Sequence, residues 1–175
     1  FVLSHYPHYW ELYNSFPYDV QRWDAIRYLI LEKMGGMYVD IDYESLEPID
    51  ILIKDKTCCF AGEPQSHCRI FNLKTMFNNA LIASIPGHFF IKRIIKEVFS
   101  NEVVNFRDIS KDLCVWKTTG PWKLINIYEE TAEDERKKVY LIPDKYVTPF
   151  DVMQARRFRV GEMCDELEDC IEEAY

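Results

Sequence analysis

The sequence predicts a single-domain α/β protein, and three features support that class. Segments with helical periodicity alternate with short apolar segments of strand character. The 175 residues are 48% hydrophobic and 15% aromatic, which is enough to bury a core and excludes a disordered chain. The sequence has no repeats and no low-complexity linker, so residues 1–175 are interpreted as one domain.

The charge and the cysteine content of the chain indicate which binding partners and which cellular compartment to expect. The formal net charge is −8, and no basic stripe is present to bind phosphate backbones, so a nucleic-acid partner is not expected. The six cysteines form no Cys-x-x-Cys pair and are interpreted as buried thiols, which favours a reducing compartment. No apolar run is long enough to span a membrane. We therefore expect a bacterial cytoplasmic protein, with peripheral association at the inner face of the membrane as a further location.

The first elements can be placed from periodicity and from glycine and proline signals. Residues 1–18 are rich in aromatics and prolines and predict an irregular lead-in. Asp19 is the expected N-cap of a helix over 20–34, which Gly35-Gly36 ends. The segment MYVDID, 37–42, alternates as a β-strand does.

The remaining elements follow from the same signals. Pro121 favours the start of a helix, because its missing N–H costs nothing in the first turn. The predictions are strands over 57–62 and 139–143, a loop with some helical character over 72–84, and helices over 88–101, 121–134 and 164–175.

The helix over 20–34 carries a charged pair on an apolar arc. Arg27 falls inside the arc and Asp24 at its edge, three residues earlier, so the two side chains are expected to pair. The pair has two interpretations: a structural ion pair, or two groups that line a pocket for a polyhydroxylated ligand. We favour the second because the helix leads directly to the next motif. The arc consists of Val20, Trp23, Ile26, Ile30, Leu31 and Met34.

Asp40 and Asp42 form the motif that points to chemistry. Side chains two apart on a strand share a face, where two carboxylates repel each other unless a cation lies nearby. Mg²⁺ and Mn²⁺ are commonly held by one or two carboxylates together with a diphosphate. Such a pair serves phosphatases of the haloacid dehalogenase type, or glycosyltransferases that use nucleotide sugars. The phosphatase pattern requires a threonine where this chain has Glu44.

A longer stretch around the motif resembles a known family. PYDVQRWDAIRYLILEKMGGMYVDIDYESLEPID, 17–50, is similar to the DXD region of a glycosyltransferase family. That family includes yeast inositol-phosphoceramide mannosyltransferases, bacterial capsular-sugar transferases and clostridial glucosylating toxins. Its pattern is an Asp and an Arg three apart on a helix, a Gly-Gly stop and a DXD strand. The matching residues are Asp24, Arg27, Gly35, Gly36, Asp40 and Asp42.

Three later segments extend the resemblance to about residue 150. NNALIASIPGHFFIKRII resembles the family's segment with Ser-x-Pro-Gly-His, and TTGPW resembles its Thr-Gly-Pro helix start. VYLIPDKYVTPF resembles its late strand and proline-containing loop. The family also has segments before and after these, so we expect the chain to be incomplete at both ends.

The resemblance implies a GT-A type nucleotide-diphospho-sugar transferase fold with a mostly parallel sheet. It implies transfer of a hexose from a GDP- or UDP-linked donor to a saccharide or lipid-linked acceptor, with Mn²⁺ or Mg²⁺ as cofactor and retention of anomeric configuration. Asp42 would be the main metal ligand, and Asp40 would contact the ribose or sugar and the ion.

The resemblance also assigns donor contacts away from the DXD motif. Asp24 and Arg27 would hold the sugar hydroxyls of the donor, and Asn79 would approach the sugar or the acceptor. His88 lies at a helix start, where a cap or packing role is expected instead. Two alternatives remain open: a phosphatase that uses Asp40 and Asp42, and a non-catalytic module that binds a saccharide or a partner protein.

Overall fold

The structure, a computed structural model, describes residues 1–100 and 110–159 and has a four-stranded sheet in the order β1-β3-β2-β4. Pairs β1–β3 and β2–β3 are antiparallel, and β2–β4 is parallel. The α/β class is confirmed, but the expected mostly parallel sheet is wrong, because β3 enters between β1 and β2 in the opposite direction. The strands are β1 Gly36–Val39, β2 Cys58–Gly62, β3 Phe77–Ser84 and β4 Tyr140–Ile142.

Helices account for most of the other described elements. The sequence did not predict α7, and it predicted a loop where β3 lies. The helices are α1 Val2–His5, the 3₁₀-helix Pro7–Tyr9, α2 Trp10–Ser15, α3 Asp19–Met34, α4 Asp50–Ile53, α5 Gln65–Phe71, α6 Phe89–Val98, α7 Lys111–Thr118, α8 Pro121–Glu129, α9 Glu133–Arg136, α10 Asp144–Val147 and α11 Val152–Arg159.

Several predicted elements are confirmed with shifted ends. Strands β2 and β4 and helices α3 and α6 lie where the sequence placed them. The helix predicted over 121–134 divides into α8 and α9, and the helix predicted over 164–175 lies outside the described residues.

Helix α3 has well-defined ends. The backbone N–H of Tyr18 donates to the Gln21 side chain at 3.2 Å, so Tyr18 is the N-cap and the predicted cap at Asp19 is wrong. At the other end Gly35 has φ +67°, and a Cβ there would lie 2.6 Å from Pro86 Cδ. Glycine is therefore required at Gly35 both for its backbone angle and for space.

The buried face of α3 differs from the predicted apolar arc. Trp23, Ile30 and Met34 are 61%, 38% and 66% exposed, so the arc does not face the core as a whole. The helix instead buries Gln21, Asp24, Ala25, Arg27, Tyr28, Leu29 and Leu31. Polar groups lie inward because the neighbouring residues of β3 and α7 offer hydrogen-bond partners.

Strand β2 is buried on both sides of the sheet. Phe60 belongs to the larger apolar cluster, together with Phe77 and Phe90, whereas Ala61 belongs to a second cluster on the other face. The cysteines expected to be buried thiols are confirmed where they are described: Cys58, Cys59, Cys68 and Cys114 are free and buried. Cys164 and Cys170 lie outside the described residues. Within residues 1–100 and 110–159, no helix has the length and apolar character needed to cross a bilayer.

Candidate functional site

An irregular segment of β3 forms the base of the site. Phe60 pairs with Ile82 and Gly62 pairs with Phe77, so two steps along β2 correspond to five along β3. The extra residues include Asn78 and Asn79. Such an irregularity frees backbone and side-chain groups from the ladder and makes them available to other elements.

Arg27 of α3 satisfies the freed backbone at this point. Its Nη1 donates to the Asn79 carbonyl oxygen at 2.7 Å, and its Nη2 lies 3.2 Å from Asp24 Oδ1. Nη1 also contacts Asp40 Oδ1 at 3.3 Å, and the guanidinium carbon lies 4.1 Å from the centre of the Tyr38 ring. The expected Asp24–Arg27 pair is therefore present, and Arg27 joins it to Asp40 as well.

Asp24 is almost fully buried and accepts several hydrogen bonds. Asn79 Nδ2 donates to its Oδ1 at 2.9 Å, and Thr119 Oγ1 donates to its Oδ2 at 2.8 Å. Burial raises the pKa of Asp24, while Arg27, Thr119 and Asn79 act in the opposite direction. A carboxylate in these surroundings depends on its partners to remain charged.

Tyr28 and Thr119 complete this buried cluster. The Tyr28 hydroxyl donates to the Thr119 carbonyl at 2.7 Å and accepts from Asn79 Nδ2 at 2.9 Å. Neither residue was proposed from the sequence as a site residue. The TTGPW match contained Thr119, and Tyr28 lies one helical turn after Asp24, so both signals were present in the sequence.

The two aspartates of the DXD motif lie in different surroundings. Strand β1 ends at Val39, and the Tyr43 N–H donates to the Asp40 carbonyl at 3.2 Å in the turn that follows. Ile41 and Asp42 are both exposed. The prediction that both carboxylates share one strand face is therefore wrong, because the strand stops before the motif.

Asp40 points toward the buried cluster. Its Oδ1 accepts from the Tyr38 hydroxyl and from Arg27, while its side chain remains 36% exposed. Burial and the hydrogen bond to Asp40 raise the pKa of Tyr38 to about 12, so the phenol remains a donor at neutral pH. Both of these contacts use Oδ1, and about a third of the side chain remains open to solvent.

The donor set allows one test of metal binding. Among the described residues, no group of three or more His, Cys, Asp and Glu side chains could hold an ion by itself. Asp40 and Asp42 are two oxygen donors at a solvent-exposed turn. They fit a hard divalent ion that takes its other ligands from water and a bound diphosphate.

His88 has the capping role expected for it. Its Nδ1 accepts from the Phe90 N–H at 3.2 Å at the start of α6. Burial lowers the pKa of His88, and the nearby Lys138 lowers it further. The neutral imidazole is the form that can accept this bond.

The DXD motif and the Asp24–Arg27 pair together define a class, and comparison with known proteins agrees. Residues 1–58 match the family model described as "Glycosyltransferase sugar-binding region containing DXD motif". The resemblance inferred from the sequence is confirmed by this match over about a third of the chain and by the curated relatives to which the chain is similar.

Two curated yeast proteins are among those to which the chain is similar. The chain is 27% identical over 143 residues to mannosyl phosphorylinositol ceramide synthase CSH1 of Saccharomyces cerevisiae, covering 77% of this chain and 34% of the relative. It is 29% identical over 122 residues to inositol phosphoceramide mannosyltransferase 1 of Schizosaccharomyces pombe, covering 69% and 34%. The chain thus spans about a third of the length of these curated relatives.

A solved structure supports the fold. The PaToxG glycosyltransferase superposes with a TM-score of 0.50 and 19% sequence identity, covering 99% of this chain and 57% of that chain. At this identity the likeness extends to the fold alone, and it confirms the expected glycosyltransferase architecture.

The expected location is corrected by the same comparisons. Several curated relatives are inositol phosphoceramide mannosyltransferases of Schizosaccharomyces pombe or mannosyl phosphorylinositol ceramide synthases of Saccharomyces cerevisiae, and both yeasts are eukaryotes. The prediction of a bacterial cytoplasmic protein, also at the inner face of the membrane, is therefore wrong. Buried free cysteines led to that prediction, but burial alone protects a thiol and does not identify a compartment.

Proposed function

We propose that the chain is part of the catalytic domain of a glycosyltransferase that moves a hexose from a nucleotide-diphosphate sugar to a saccharide or lipid-linked acceptor. The reaction depends on a divalent ion, Mn²⁺ or Mg²⁺, and retains the configuration at the anomeric carbon. Retention and metal dependence come from the resemblance, and the arrangement of the site is compatible with both.

One observation carries the proposal. Asp24 and Arg27 on α3, Asp40 after β1 and Asn79 on β3 come from three separate elements, yet they form one connected set of contacts beside the exposed Asp42. A structural ion pair would not require the asparagine, the second aspartate and a solvent-exposed carboxylate at the same edge. A donor sugar with several hydroxyl groups next to a diphosphate requires donors and acceptors of this kind.

The DXD turn is the proposed diphosphate end of the site. Asp42 and Oδ2 of Asp40, the oxygen that does not accept from Arg27 or Tyr38 in those hydrogen bonds, would hold the divalent ion. When bound, the ion neutralises negative charge on the departing nucleotide diphosphate. Arg27 and the Tyr38 hydroxyl fix the Asp40 carboxylate, so its orientation toward the ion does not depend on solvent.

The buried cluster is the proposed sugar end. Asp24 and Asn79, which are 4% and 7% exposed, are the proposed partners of the sugar hydroxyls. Arg27 is bonded to Asp24, Asp40 and the Asn79 carbonyl, so its main effect is to hold these groups in place. Fixed donors and acceptors favour a single orientation of the anomeric carbon, which is the main contribution of positioning to rate.

The names of the relatives support a mannosyl donor and a lipid-linked acceptor. Three of them are described as inositol phosphoceramide mannosyltransferases, with about a third or less of their length matched by this chain. GDP-mannose is therefore the first donor to test, and UDP-linked hexoses are the second.

Calorimetry with GDP, UDP and their hexose derivatives, with and without Mn²⁺, tests the donor site. We expect Mn²⁺-dependent nucleotide binding and an at least tenfold loss of affinity in Asp42→Asn, about the effect of disturbing a metal site. Asp134→Asn, another exposed aspartate on α9, is the matched control and should bind like the wild type. Nucleotide affinity that Asp42→Asn leaves unchanged would contradict the proposed metal site.

A non-catalytic saccharide-binding module is the second candidate, and one observation favours it. The Arg27 side chain is only 8% exposed and already bonds Asp24, Asp40 and the Asn79 carbonyl, as a structural clamp would. Hydrolysis of GDP-mannose in the presence of Mn²⁺ separates the two candidates. Turnover that is lost in Asp42→Asn supports the transferase, and saccharide binding without metal-dependent nucleotide binding supports the module.

A further inference from the structure

A cavity of about 410 Å³ is lined by residues outside the proposed donor site and takes no part in the function described so far. Its size is within the range of ligand pockets, roughly 300–1,000 Å³. Eight of its lining residues are apolar and three are polar. The apolar ones are Ile70, Phe71, Met76, Trp116, Pro121, Trp122, Ile125 and Met153, and the polar ones are Glu63, His67 and Asp151.

Aromatic side chains form a rigid wall of this cavity. The Phe71 ring packs edge-on against Trp116, with ring centroids 6.0 Å apart, and against Trp122 at 5.6 Å. Edge-to-face contacts of this kind hold the rings in place without polar groups. Ile70 and Met153, at the mouth, are 71% and 61% exposed. The cavity therefore offers apolar surface to solvent at its entrance, which costs free energy unless something covers it.

The polar groups of the lining are already bonded within the protein. Glu63 Oε2 lies 2.7 Å from His67 Nδ1, and Glu63 Oε1 accepts from Asn78 Nδ2 at 2.7 Å. Asp151 accepts from the N–H groups of Met153 and Gln154 at 2.8 and 2.9 Å. A sugar in the cavity would lose water from its hydroxyl groups with few partners in return, which is unfavourable. An alkyl chain has no such cost.

Two sets of contacts connect the cavity to the donor site. Asn78, which bonds Glu63 in the lining, precedes Asn79, which bonds Asp24. Pro121 of the lining lies two residues after Thr119, which donates to the other oxygen of Asp24. The cavity and the proposed sugar site are thus connected through adjacent residues of β3 and through the short segment between α7 and α8.

We propose that this cavity binds the aliphatic chain of the acceptor, an uncharged alkyl segment whose polar end projects toward Asn78 and Asn79. No Lys or Arg is among the lining residues, so a phosphate of the acceptor would lie outside the cavity. As an acceptor site, the inference rests on the proposed function, but binding of the chain can be measured without donor or metal.

Tryptophan fluorescence provides the test. Trp10→Phe and Trp23→Phe leave Trp116 and Trp122, both in the lining, as the remaining tryptophans of the chain. The probe is dodecyl maltoside with bromine atoms on the alkyl chain, used below its micelle-forming concentration. Bromine quenches an indole only at contact distance, so we expect saturable quenching. Absence of saturable quenching would overturn the proposal.

Two substitutions at the mouth locate the probe. Ile70→Asp and, separately, Met153→Asp place a charge where the chain would enter, and each should weaken binding at least about tenfold. Ile51→Asp is the matched control, because Ile51 is 86% exposed on α4 and is not among the lining residues. Circular dichroism confirms that each variant is folded. Equal affinity in all three variants would overturn the proposal.

Two further measurements separate this inference from the donor site. Maltose without the chain should not displace the probe, and displacement by maltose would mean a sugar subsite and would contradict the alkyl assignment. Asp42→Asn should leave quenching unchanged while it weakens Mn²⁺-dependent nucleotide binding. Failure of nucleotide binding with intact quenching would refute the proposed donor site alone, and the reverse result would refute the alkyl site alone.

Discussion

The buried cluster around Asp24 and the exposed turn at Asp42 belong to one sequence motif but follow different physical rules. Asp24 is 4% exposed and accepts from Arg27, Asn79 and Thr119. Asp42 is exposed in a turn after a short edge strand. Residues proposed for one site therefore differ in their structural role: Asp24 contributes to the stability of the fold, whereas Asp42 contributes little to it.

Asp40 connects these two regions. One of its oxygens accepts from Tyr38 and Arg27, and its side chain is 36% exposed. A ligand at the turn can therefore affect the buried cluster through Arg27. Substitutions in the buried cluster should therefore change the free energy of unfolding more than substitutions in the exposed turn.

Arg27→Met should have the largest effect. Removing the guanidinium leaves Asp24 as a buried carboxylate without its cation, and we expect a loss of about 3–5 kcal/mol in the free energy of unfolding. Urea denaturation measures it. Lys137→Met is the control, because the Lys137–Glu133 pair is 72% and 76% exposed and should contribute only about 0.3–0.5 kcal/mol. Similar losses in both variants would mean that the buried cluster is not the stabilising region.

Asn79→Ala should cost less, about 1.5–3 kcal/mol, because it removes one amide that donates to Asp24 and Tyr28. The Asn79 carbonyl, and with it the contact to Arg27, remains in place. Asn126→Ala, at an exposed position of α8, is the matched control and should be neutral or slightly stabilising by helix propensity. An effect of Asn79→Ala no larger than that of the control would mean that the Asn79 amide does not stabilise the buried cluster.

The contribution of His88 to the free energy of unfolding should depend on pH. Because its pKa is lowered in the folded state, its contribution is present above the unfolded pKa of about 6.5 and is lost as the pH falls below it. Protonation removes the acceptor for the Phe90 N–H, a cap worth about 1 kcal/mol.

His88→Asn keeps a capping side chain and removes this titration. Unfolding should be measured from pH 8 to pH 5 in both proteins. We expect the wild type to lose stability relative to His88→Asn as the pH decreases. A constant difference across this range would argue against a neutral His88 cap.

Asp42→Asn should have the smallest effect on stability, within about ±0.5 kcal/mol, as for most exposed substitutions. Asp40→Asn should cost about 1 kcal/mol, since a bond from Arg27 to a charged acceptor is weakened. Thermal unfolding distinguishes the two. A larger loss in Asp42→Asn than in Asp40→Asn would reverse the assigned roles.

Local signals in the sequence were sufficient to predict several helices and strands. Gly35 and Gly36 end α3 as expected, and the periodicity of the segment after His88 correctly predicted α6. β3 was missed because FNNALIAS places two asparagines inside an apolar run, which is typical of a loop when only local propensity is considered. The partners of those asparagines are Asp24 and Tyr28 on α3 and Glu63 directly after β2, and a short sequence window around β3 does not contain them.

The sequence by itself determined the DXD motif, the Asp24–Arg27 pair and the family resemblance, because these depend on residue types at fixed spacing. Only the tertiary structure decided that α3 turns Asp24 and Tyr28 inward and leaves Trp23 exposed, and that Thr119 meets Asp24. Burial of a polar group is favourable only where partners from distant segments satisfy it, and those partners are brought together by folding.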